Sequence, residues 1–218
     1  QGVMGAACSG TSLAILDTAI GAGVVMVSPS NTSPQFTNMD KKGLYARTAP
    51  SDLLQGQVMA QLLADDGVKT ISIISRSDSY GRGLAEATAA AFEAVEGQSV
   101  NTIVYHPDGA TEFSAEVTAV TKRKVDAIVS ILFVESGCGV LGEAYEQGKL
   151  DIPWYFTDGV KDGELDTNCG LNGAIEGMKG TAPGAAAGEA MTRFSAAYSA
   201  ASEDGSETFI FAPQAYDA

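Results

Sequence analysis

The sequence is poor in the side chains that most metal sites, nucleophilic active sites and nucleic-acid-binding surfaces need. Its 218 residues include one histidine and three cysteines, and 27 acidic residues outnumber 13 basic ones, giving a net charge of −14. The cysteines lack CxxC spacing, so neither a zinc site nor any other cofactor is expected. The acidic excess repels phosphate backbones and anionic lipid surfaces, so nucleic acid is not an expected partner.

Long apolar runs are also missing. Runs such as the one at 24–27 are far shorter than the roughly 20 residues that span a bilayer. The first residues lack the basic-then-apolar plan of a signal peptide, so we expect any export signal to lie outside this sequence. Hydrophobic residues at 45% and charged residues at 18%, without biased tracts, predict a folded globular chain.

Short β-branched runs alternate with helical patterns along the chain. The runs are almost continuously apolar, which is typical of parallel strands covered on both faces. This order predicts βαβ crossovers and a doubly wound α/β fold, in which ligands bind beyond the carboxyl ends of the strands. The predicted strands are 24–27, 70–75, 101–105, 127–133 and 154–157, and the predicted helices are 11–22, 52–64, 83–94, 112–121 and 139–147.

The predicted turns after a first strand ending at Val3-Met4 and after the strand at 24–27 are rich in hydroxyl groups. The turn at 5–11 brings small residues and the Ser9 hydroxyl to the start of a helix, an end that attracts carboxylate or phosphate. The alternative is that Ser9 or Thr11 only caps the helix. The turn at 28–34 adds further hydroxyls and free carbonyls, with a plain polar loop as its alternative.

Later turns add an acid and two aromatic rings. Asp158 stands at a strand end before a glycine, where it can meet an ammonium group or cap the next element. Tyr80 and Phe133 supply rings at two other turns, with core packing as the alternative. Hydroxyls for a carboxylate, an acid for an ammonium and rings for a side chain together predict a site for a zwitterion.

The three cysteines allow two interpretations. Cys138 and Cys169 could close a disulfide between two loops, which suits an oxidising compartment. All three, Cys8 included, could equally be buried thiols of a cytosolic protein. Composition leaves both open.

Five short segments carry a family resemblance: 7–11 (ACSGT), 25–34 (VMVSPSNTSP), 47–56 (RTAPSD followed by QG), 80–85 (YGRGLA) and 156–159 (FTDG). In this order they resemble the periplasmic leucine/isoleucine/valine-binding proteins, the amino-acid-binding members of the type I solute-binding family. The resemblance covers nearly the whole chain. It implies two lobes of doubly wound parallel sheet, joined by a hinge, that close on a ligand in the cleft between them.

The resemblance also implies how the chain divides. Residues 1–47 and 183–218 would form part of lobe 1, and residues 48–182 would form lobe 2. Members of the family extend further at both ends, so we expect this sequence to be an incomplete chain.

The site residues follow from the same resemblance. Ser9 and Thr32 would hold the ligand carboxylate, and the main chain around Ser30 would share the carboxylate and the ammonium. Asp158 would face the ammonium, and the aromatic positions of lobe 2 fall on Tyr80 and Phe133. Relatives often carry tyrosine at the position of Phe133 and glutamate at that of Asp158, so the ligand's identity stays open.

The resemblance gives the cysteines their roles. Relatives often pair the cysteine matching Cys8 with one in a segment outside this sequence, so Cys8 would be unpaired here. Cys138 and Cys169 would then form the internal disulfide.

The implied function is that of the solute-binding component of an ABC transporter, not an enzyme. The protein would be a periplasmic or extracellular monomer, with lipid anchoring before Gln1 left open, that delivers an amino acid or similar small carboxylate to a membrane permease. One alternative is the ligand-binding domain of a sensor with the same fold. A more remote one is an α/β hydrolase using Ser9, but the outer glycines of a nucleophile elbow are absent and His106, the candidate base, is expected in an exposed loop.

Overall fold

A computed structural model describes residues 1–161, 165–184, 187–202 and 210–218. Contacts within the chain divide it into two units, a first unit of residues 1–51 with 183–218 and a second unit of residues 52–182. The lobe boundaries expected from the sequence, 47/48 and 182/183, stay predictions about the whole protein.

The first unit contains a parallel sheet of three short strands. In chain order its elements are β1 (Gly2–Met4), α1 (Ser9–Gly21), β2 (Val25–Ser28), α2 (Gln35–Asn38) and β3 (Tyr45–Arg47), with the strands in the order β1-β2-β3. Its small core is formed by Leu16, Met26, Phe36 and Tyr45, and the last two rings stack with centroids 4.7 Å apart.

The second unit is built on a parallel sheet of five strands in the order β5-β4-β6-β7-β8. Its elements are α3 (Asp52–Asp65), β4 (Thr70–Arg76), α4 (Ser79–Glu93), β5 (Ser99–His106), α5 (Ser114–Val120), β6 (Ala127–Ile131), α6 (Val134–Glu146), β7 (Trp154–Phe156), a 3₁₀ turn (Asp158–Val160), α7 (Leu165–Asn168) and β8 (Lys179–Gly180). Two further helices, α8 (Glu189–Ala201) and α9 (Ala212–Asp217), belong to the first unit.

Helices cover both faces of the five-stranded sheet. Successive residues of β6 point to opposite sides, so Val129 packs with α3 and α4 while Ile128 packs with α5 and α6. This is why the strand sequences are apolar without alternation. The doubly wound α/β fold class predicted from the sequence is confirmed.

The order of the strands fixes where a ligand site is expected in this unit. The chain leaves β4 toward β5 on one side and returns to β6 on the other, so the topological switch point lies between the carboxyl ends of β4 and β6. Crevices at such points are the usual binding sites of open α/β sheets. Tyr80 follows β4 and Phe133 follows β6, so these two residues flank the switch point.

Three helices begin earlier than predicted, α1 by two residues and α4 and α6 by four or five. The α4 helix starts at Ser79 rather than 83, because the Asp78 side chain accepts a hydrogen bond from the Gly81 amide (2.8 Å) and caps the first turn. The α6 helix starts at Val134 rather than 139, directly after Phe133. In α4 and α6 the early start brings an aromatic residue to the carboxyl edge of the sheet.

Candidate ligand-binding site

In the second unit, Tyr80 is held in place by the glycine that follows it. Tyr80 is the second residue of α4 and is 5% exposed. A Cβ on Gly81 would collide with the Arg76 carbonyl oxygen and lie 2.7 Å from the Ser75 hydroxyl. Glycine therefore lets the first turn of α4 lie directly against the end of β4, and this contact positions the tyrosine ring.

Phe133 is the N-cap residue of α6, and its backbone amide donates to the Ser136 hydroxyl (3.3 Å). Its ring centroid lies 5.3 Å from that of Tyr80, with the planes tilted by 35°. The two rings form an aromatic pair at the switch point.

Asp158 follows β7 and opens the 3₁₀ turn, with 8% of its surface exposed. A Cβ on the next residue, Gly159, would collide with the Leu132 carbonyl oxygen and lie 3.1 Å from the Phe133 ring. This close approach holds the Asp158 turn against the end of β6.

The Asp158 carboxylate is bound by neutral donors. Its Oδ1 atom accepts hydrogen bonds from the Tyr80 hydroxyl at 2.9 Å and from Nε2 of Gln55 at 2.7 Å. Within the described parts of the chain, no lysine or arginine forms an ion pair with it. A buried carboxylate without a cation is costly, so this position favours an incoming positive charge.

The protonation equilibria of this cluster reflect its burial. Burial raises the pKa of Asp158 above the usual carboxyl value, and the hydrogen bonds from Gln55 and Tyr80 offset part of the rise. Burial and then the charges of Asp158 and Asp52 raise the pKa of Tyr80 well above its usual range. The tyrosine therefore stays protonated and serves as a donor to Asp158.

Two residues of this cluster were not among the predicted site residues. Arg76 places its guanidinium carbon 5.0 Å from the centre of the Phe133 ring, and it forms ion pairs with Asp78 (2.9 Å) and Asp108. Two acids neutralise Arg76, so it supports the ring by a cation–π contact rather than offering a free charge. Gln55 belongs to a segment that carried the family resemblance, but nothing in the sequence linked it to Asp158.

A separate cavity of about 730 Å³ opens beside β7 and β8. Its described lining includes the apolar side chains of Phe156, Val160 and Met178 together with Lys161 and Glu176. The described lining does not include Tyr80, Phe133 or Asp158. It does include Thr157, whose hydroxyl is hydrogen-bonded to that of Tyr80 at 3.2 Å.

In the first unit, Ser9 begins α1 and is 3% exposed. The N-cap residue is Cys8, whose side chain makes no capping hydrogen bond, so neither Ser9 nor Thr11 is the cap. The Ser9 hydroxyl accepts a hydrogen bond from the Ser33 amide at 3.2 Å. A hydroxyl that accepts in this way keeps its own proton for donation to another acceptor.

The two hydroxyl-rich turns of the first unit are bonded to each other. The Ser28 hydroxyl donates to the Ala6 carbonyl at 2.8 Å, and the Ser30 hydroxyl donates to that of Ala7 at 3.0 Å. The fully buried Asn31 side-chain amide donates to the same two carbonyls at 3.0 and 2.9 Å. The second turn is therefore an ordered structure rather than a plain polar loop.

Arg47 fixes the other side of this turn. Its Nη1 donates to the carbonyls of Asn31 and Ser33 at 3.0 and 2.8 Å, on either side of Thr32. Thr32 itself is 2% exposed. The structure thus brings Ser9, Ser30 and Thr32 together in the first unit and Tyr80, Phe133 and Asp158 together in the second, while their contacts with a ligand stay predictions.

The cysteines lie as the family resemblance implies. Cys138 and Cys169 form a disulfide with Cα atoms 4.7 Å apart, and Cys8 is free and exposed. The disulfide links α6 to the residue after α7 and encloses the segment that contains Asp158.

The prediction that His106 lies in an exposed loop is wrong. His106 is the last residue of β5 and is 2% exposed, because β5 stays paired with β4 as far as Arg76. Its ring packs edge-on against Phe113 at 5.2 Å, and its Nδ1 lies 3.0 Å from the Pro107 carbonyl oxygen. The histidine is thus a core residue, which further weakens the hydrolase interpretation.

Known proteins resemble this chain along its whole length. Residues 1–218 match the profile of a family described as the receptor family ligand binding region. A leucine-, isoleucine-, valine-, threonine- and alanine-binding protein of Pseudomonas aeruginosa is 28% identical over 217 residues, which cover 95% of this chain. The crystal structure of a leucine binding protein from Thermotoga maritima matches 99% of the chain with a TM-score of 0.85 and 26% identity.

The chain belongs to the type I periplasmic solute-binding family. The resemblance drawn from the sequence is thereby confirmed. A leucine-specific-binding protein of Salmonella typhimurium, 28% identical over 188 residues and 84% of this chain, is a further relative. The chain spans about half the length of the curated relatives it matches, 55% of the Pseudomonas protein and 48% of the Salmonella protein, and 61% of the Thermotoga chain.

Relatives of the family are named as binding proteins rather than as enzymes. Among the described residues, no helix combines the length and the apolar content that crossing a bilayer requires.

Proposed function

We propose that this protein binds an amino acid, or a similar small carboxylate with an ammonium group, as the solute-binding component of an ABC transporter. It would act in the periplasm or outside the cell, as a monomer that hands its ligand to a membrane permease. Its role would be binding without covalent chemistry, so we propose no enzymatic activity. The relatives' names support this function, and the chemistry of Asp158 carries the choice of ligand.

The observation that carries the proposal is the pairing of the buried Asp158 carboxylate with neutral donors only, in the described part of the chain. An ammonium group that reaches this carboxylate replaces the lost hydration with an ion pair and charge-assisted hydrogen bonds. The aromatic pair of Tyr80 and Phe133 beside it supplies an apolar surface for a side chain.

The ligand carboxylate would use the hydroxyl cluster of the first unit. The Ser9 hydroxyl retains a proton to donate, and the amino end of α1 carries partial positive charge. Thr32 and the main chain around Ser30 would complete this part of the site. We propose that one zwitterionic ligand uses both groups of residues, as in the family this chain resembles.

The test compares an L-amino acid with its analogue that lacks the amino group. Asp158→Asn keeps an acceptor for Tyr80 and Gln55 but removes the charge, so the amino acid should bind about 3 kcal/mol more weakly, roughly 100-fold in Kd. The desamino analogue should bind the variant as well as it binds the wild type. Asp151→Asn, at an exposed acid, is the matched control.

Titration calorimetry after a thermal-shift screen measures both affinities. Equal losses for the two ligands in Asp158→Asn would refute the ammonium contact and leave only a carboxylate-binding site. No binding of any zwitterion by the wild-type protein would refute the proposed ligand class.

A second candidate is the ligand-binding domain of a sensor, because the matching profile is described as a receptor family's ligand binding region. Uptake of the ligand by a cell with and without the protein separates the two functions. Uptake that persists unchanged in its absence would favour the sensor.

A further inference from the structure

The side chain of Gln55 connects three parts of the second unit. It lies in the first turn of α3 and is 7% exposed. Its Nε2 atom donates to Asp158 Oδ1 at 2.7 Å and to the main-chain oxygen of Thr181 at 3.2 Å. One amide nitrogen thus bonds both the candidate ligand-binding acid and a backbone carbonyl 126 residues further along the chain.

The chemistry of the two acceptors fixes the orientation of this amide. A carboxylate oxygen and a carbonyl oxygen both require a donor, and only the NH₂ end of glutamine has donors to give. The reversed amide would place Oε1 against two other oxygens. Among the described residues, no donor reaches Oε1 in the observed orientation, although this atom is buried. The side chain is therefore held by its donor end.

Two of the three connected segments lie at the limits of the unit. The α3 helix starts at residue 52, where the second unit begins, and Thr181 stands one residue before the unit ends at 182. Thr181 continues the pairing of β8 with β7, since its amide donates to the Phe156 carbonyl at 3.0 Å. Gln55 consequently bonds Asp158 to the segment through which the chain leaves the unit.

We propose that Gln55 is a positioning residue of the ligand site, which keeps the Asp158 carboxylate ionised and fixed in place and ties it to the Thr181 segment. This inference rests on the proposed function for the ligand, but its effect on Asp158 exists without any ligand. The acid needs such support because burial works against its charge, and the Gln55 donor is the shorter of its two side-chain hydrogen bonds.

The groups that surround Asp158 determine the direction in which its pKa moves when Gln55 is replaced. The Tyr80 hydroxyl from α4 and Gln55 from α3 donate to its carboxylate, and the Asp52 charge, also from α3, acts on Tyr80. Burial raises the pKa of Asp158 and the Gln55 bond lowers it. Loss of that bond therefore raises the pKa further, so the carboxylate is lost at a higher pH than in the wild type.

The first experiment needs no ligand. The Asp158 carboxyl is titrated by carbon NMR in the whole protein, in the wild type and in Gln55→Met, which keeps the side-chain volume and removes both the donor and the unpartnered oxygen. The midpoint should move to higher pH. Gln61→Met is the matched control, because Gln61 lies on the same helix and donates to Asp65 at 2.7 Å on the exposed surface. It should leave the Asp158 midpoint unchanged.

The second experiment measures the Kd of an L-amino acid as a function of pH. Affinity should fall as the pH drops through the Asp158 pKa, and in Gln55→Met this fall should occur at higher pH, with binding about tenfold weaker at the acidic end. The desamino analogue, which has no ammonium, should show no such shift.

An Asp158 midpoint that is equal in Gln55→Met and wild type would overturn the inference, even if amino acids bind normally and the proposed function stands. If wild type binds no zwitterion, the proposed function fails, and the ligand part of the inference fails with it. Should Gln55→Met not fold, Gln55→Leu replaces it, because it also removes the donor and should likewise move the Asp158 midpoint to higher pH.

Discussion

Breaking the Cys138–Cys169 disulfide should destabilise the second unit by about 3.7 kcal/mol. The two cysteines are 31 residues apart. For a loop of that length, the chain-entropy relation predicts that the disulfide lowers the entropy of the unfolded chain by about 12 cal/mol/K, which corresponds to about 3.7 kcal/mol at 25 °C. A domain is stable by only about 5–15 kcal/mol, so this loss is a large fraction of the total.

The sole tryptophan provides a selective assay. Trp154 is 1% exposed, lies in the core of the second unit and stands between the two cysteines in sequence. Its fluorescence therefore follows unfolding of the second unit. The free energy of unfolding falls by about 2 kcal/mol per molar urea for a domain of this size. The variant that combines Cys138→Ser with Cys169→Ser should therefore unfold at about 1.8 M less urea than the wild type.

Two controls make the comparison strict. Cys8→Ser changes a free, exposed thiol and should leave the midpoint where it is. Reduced wild-type protein should match the doubly substituted variant. If the midpoint of that variant falls by less than about 0.3 M, the disulfide does not restrict the unfolded chain as this reasoning requires.

Two further predictions concern residues that hold the second unit together. Gly81→Ala should lower the free energy of unfolding, measured in urea, by about 1–3 kcal/mol, because the new Cβ would collide with the Arg76 carbonyl. Gly142→Ala is the control and should not destabilise the protein, since its Cβ would meet nothing within 4 Å. Equal losses of stability in the two variants would contradict this prediction. Lys179→Met should raise the pKa of Asp66 seen by NMR, because hydrogen bonds first from Lys179 and then from Tyr155 hold it below the usual value. The stability from this pair is present above the ordinary carboxyl pKa and is lost as the pH falls through the lowered one; an unchanged Asp66 midpoint in the variant would contradict it.

Much of the second unit could be predicted from the sequence because its strands are buried on both faces. The runs that became β6 and β7 are almost uninterruptedly apolar, and each predicted strand overlaps an observed one. The short edge strands β3 and β8 were not predicted, since their sequences, YAR and KG, contain no apolar run.

The errors at helix starts have a common physical origin. Gly81 and the segment Glu135-Ser136-Gly137 were left outside the predicted helices 83–94 and 139–147, and glycine disfavours helix. Tertiary contacts override that preference, since at Gly81 there is no room for a Cβ against β4, and at Gly137 a Cβ would lie 2.9 Å from Val160. Similarly, Pro107 suggested a loop around His106, but pairing with β4 extends the strand to that residue.

The composition of the candidate site lies beyond what local sequence can give, and two acids of the second unit illustrate the reason. Asp66 and Asp158 each accept a hydrogen bond from a tyrosine hydroxyl, at 2.7 Å from Tyr155 and at 2.9 Å from Tyr80. The sequence does not distinguish them, because these partners lie 78 or more residues away.

The two acids differ in the other side chain that binds each carboxylate besides the tyrosine. At Asp66 it is Lys179, whose ammonium lies 2.6 Å from Oδ1, so the charge is neutralised within the unit and the pair is structural. At Asp158 it is Gln55, which donates a hydrogen bond but carries no charge. An amide leaves the carboxylate ionised and bound in place yet electrostatically uncompensated, which is the state in which an ammonium ligand gains most from reaching it. The proposed ligand class therefore depends on an amide standing at Asp158 where a cation stands at Asp66.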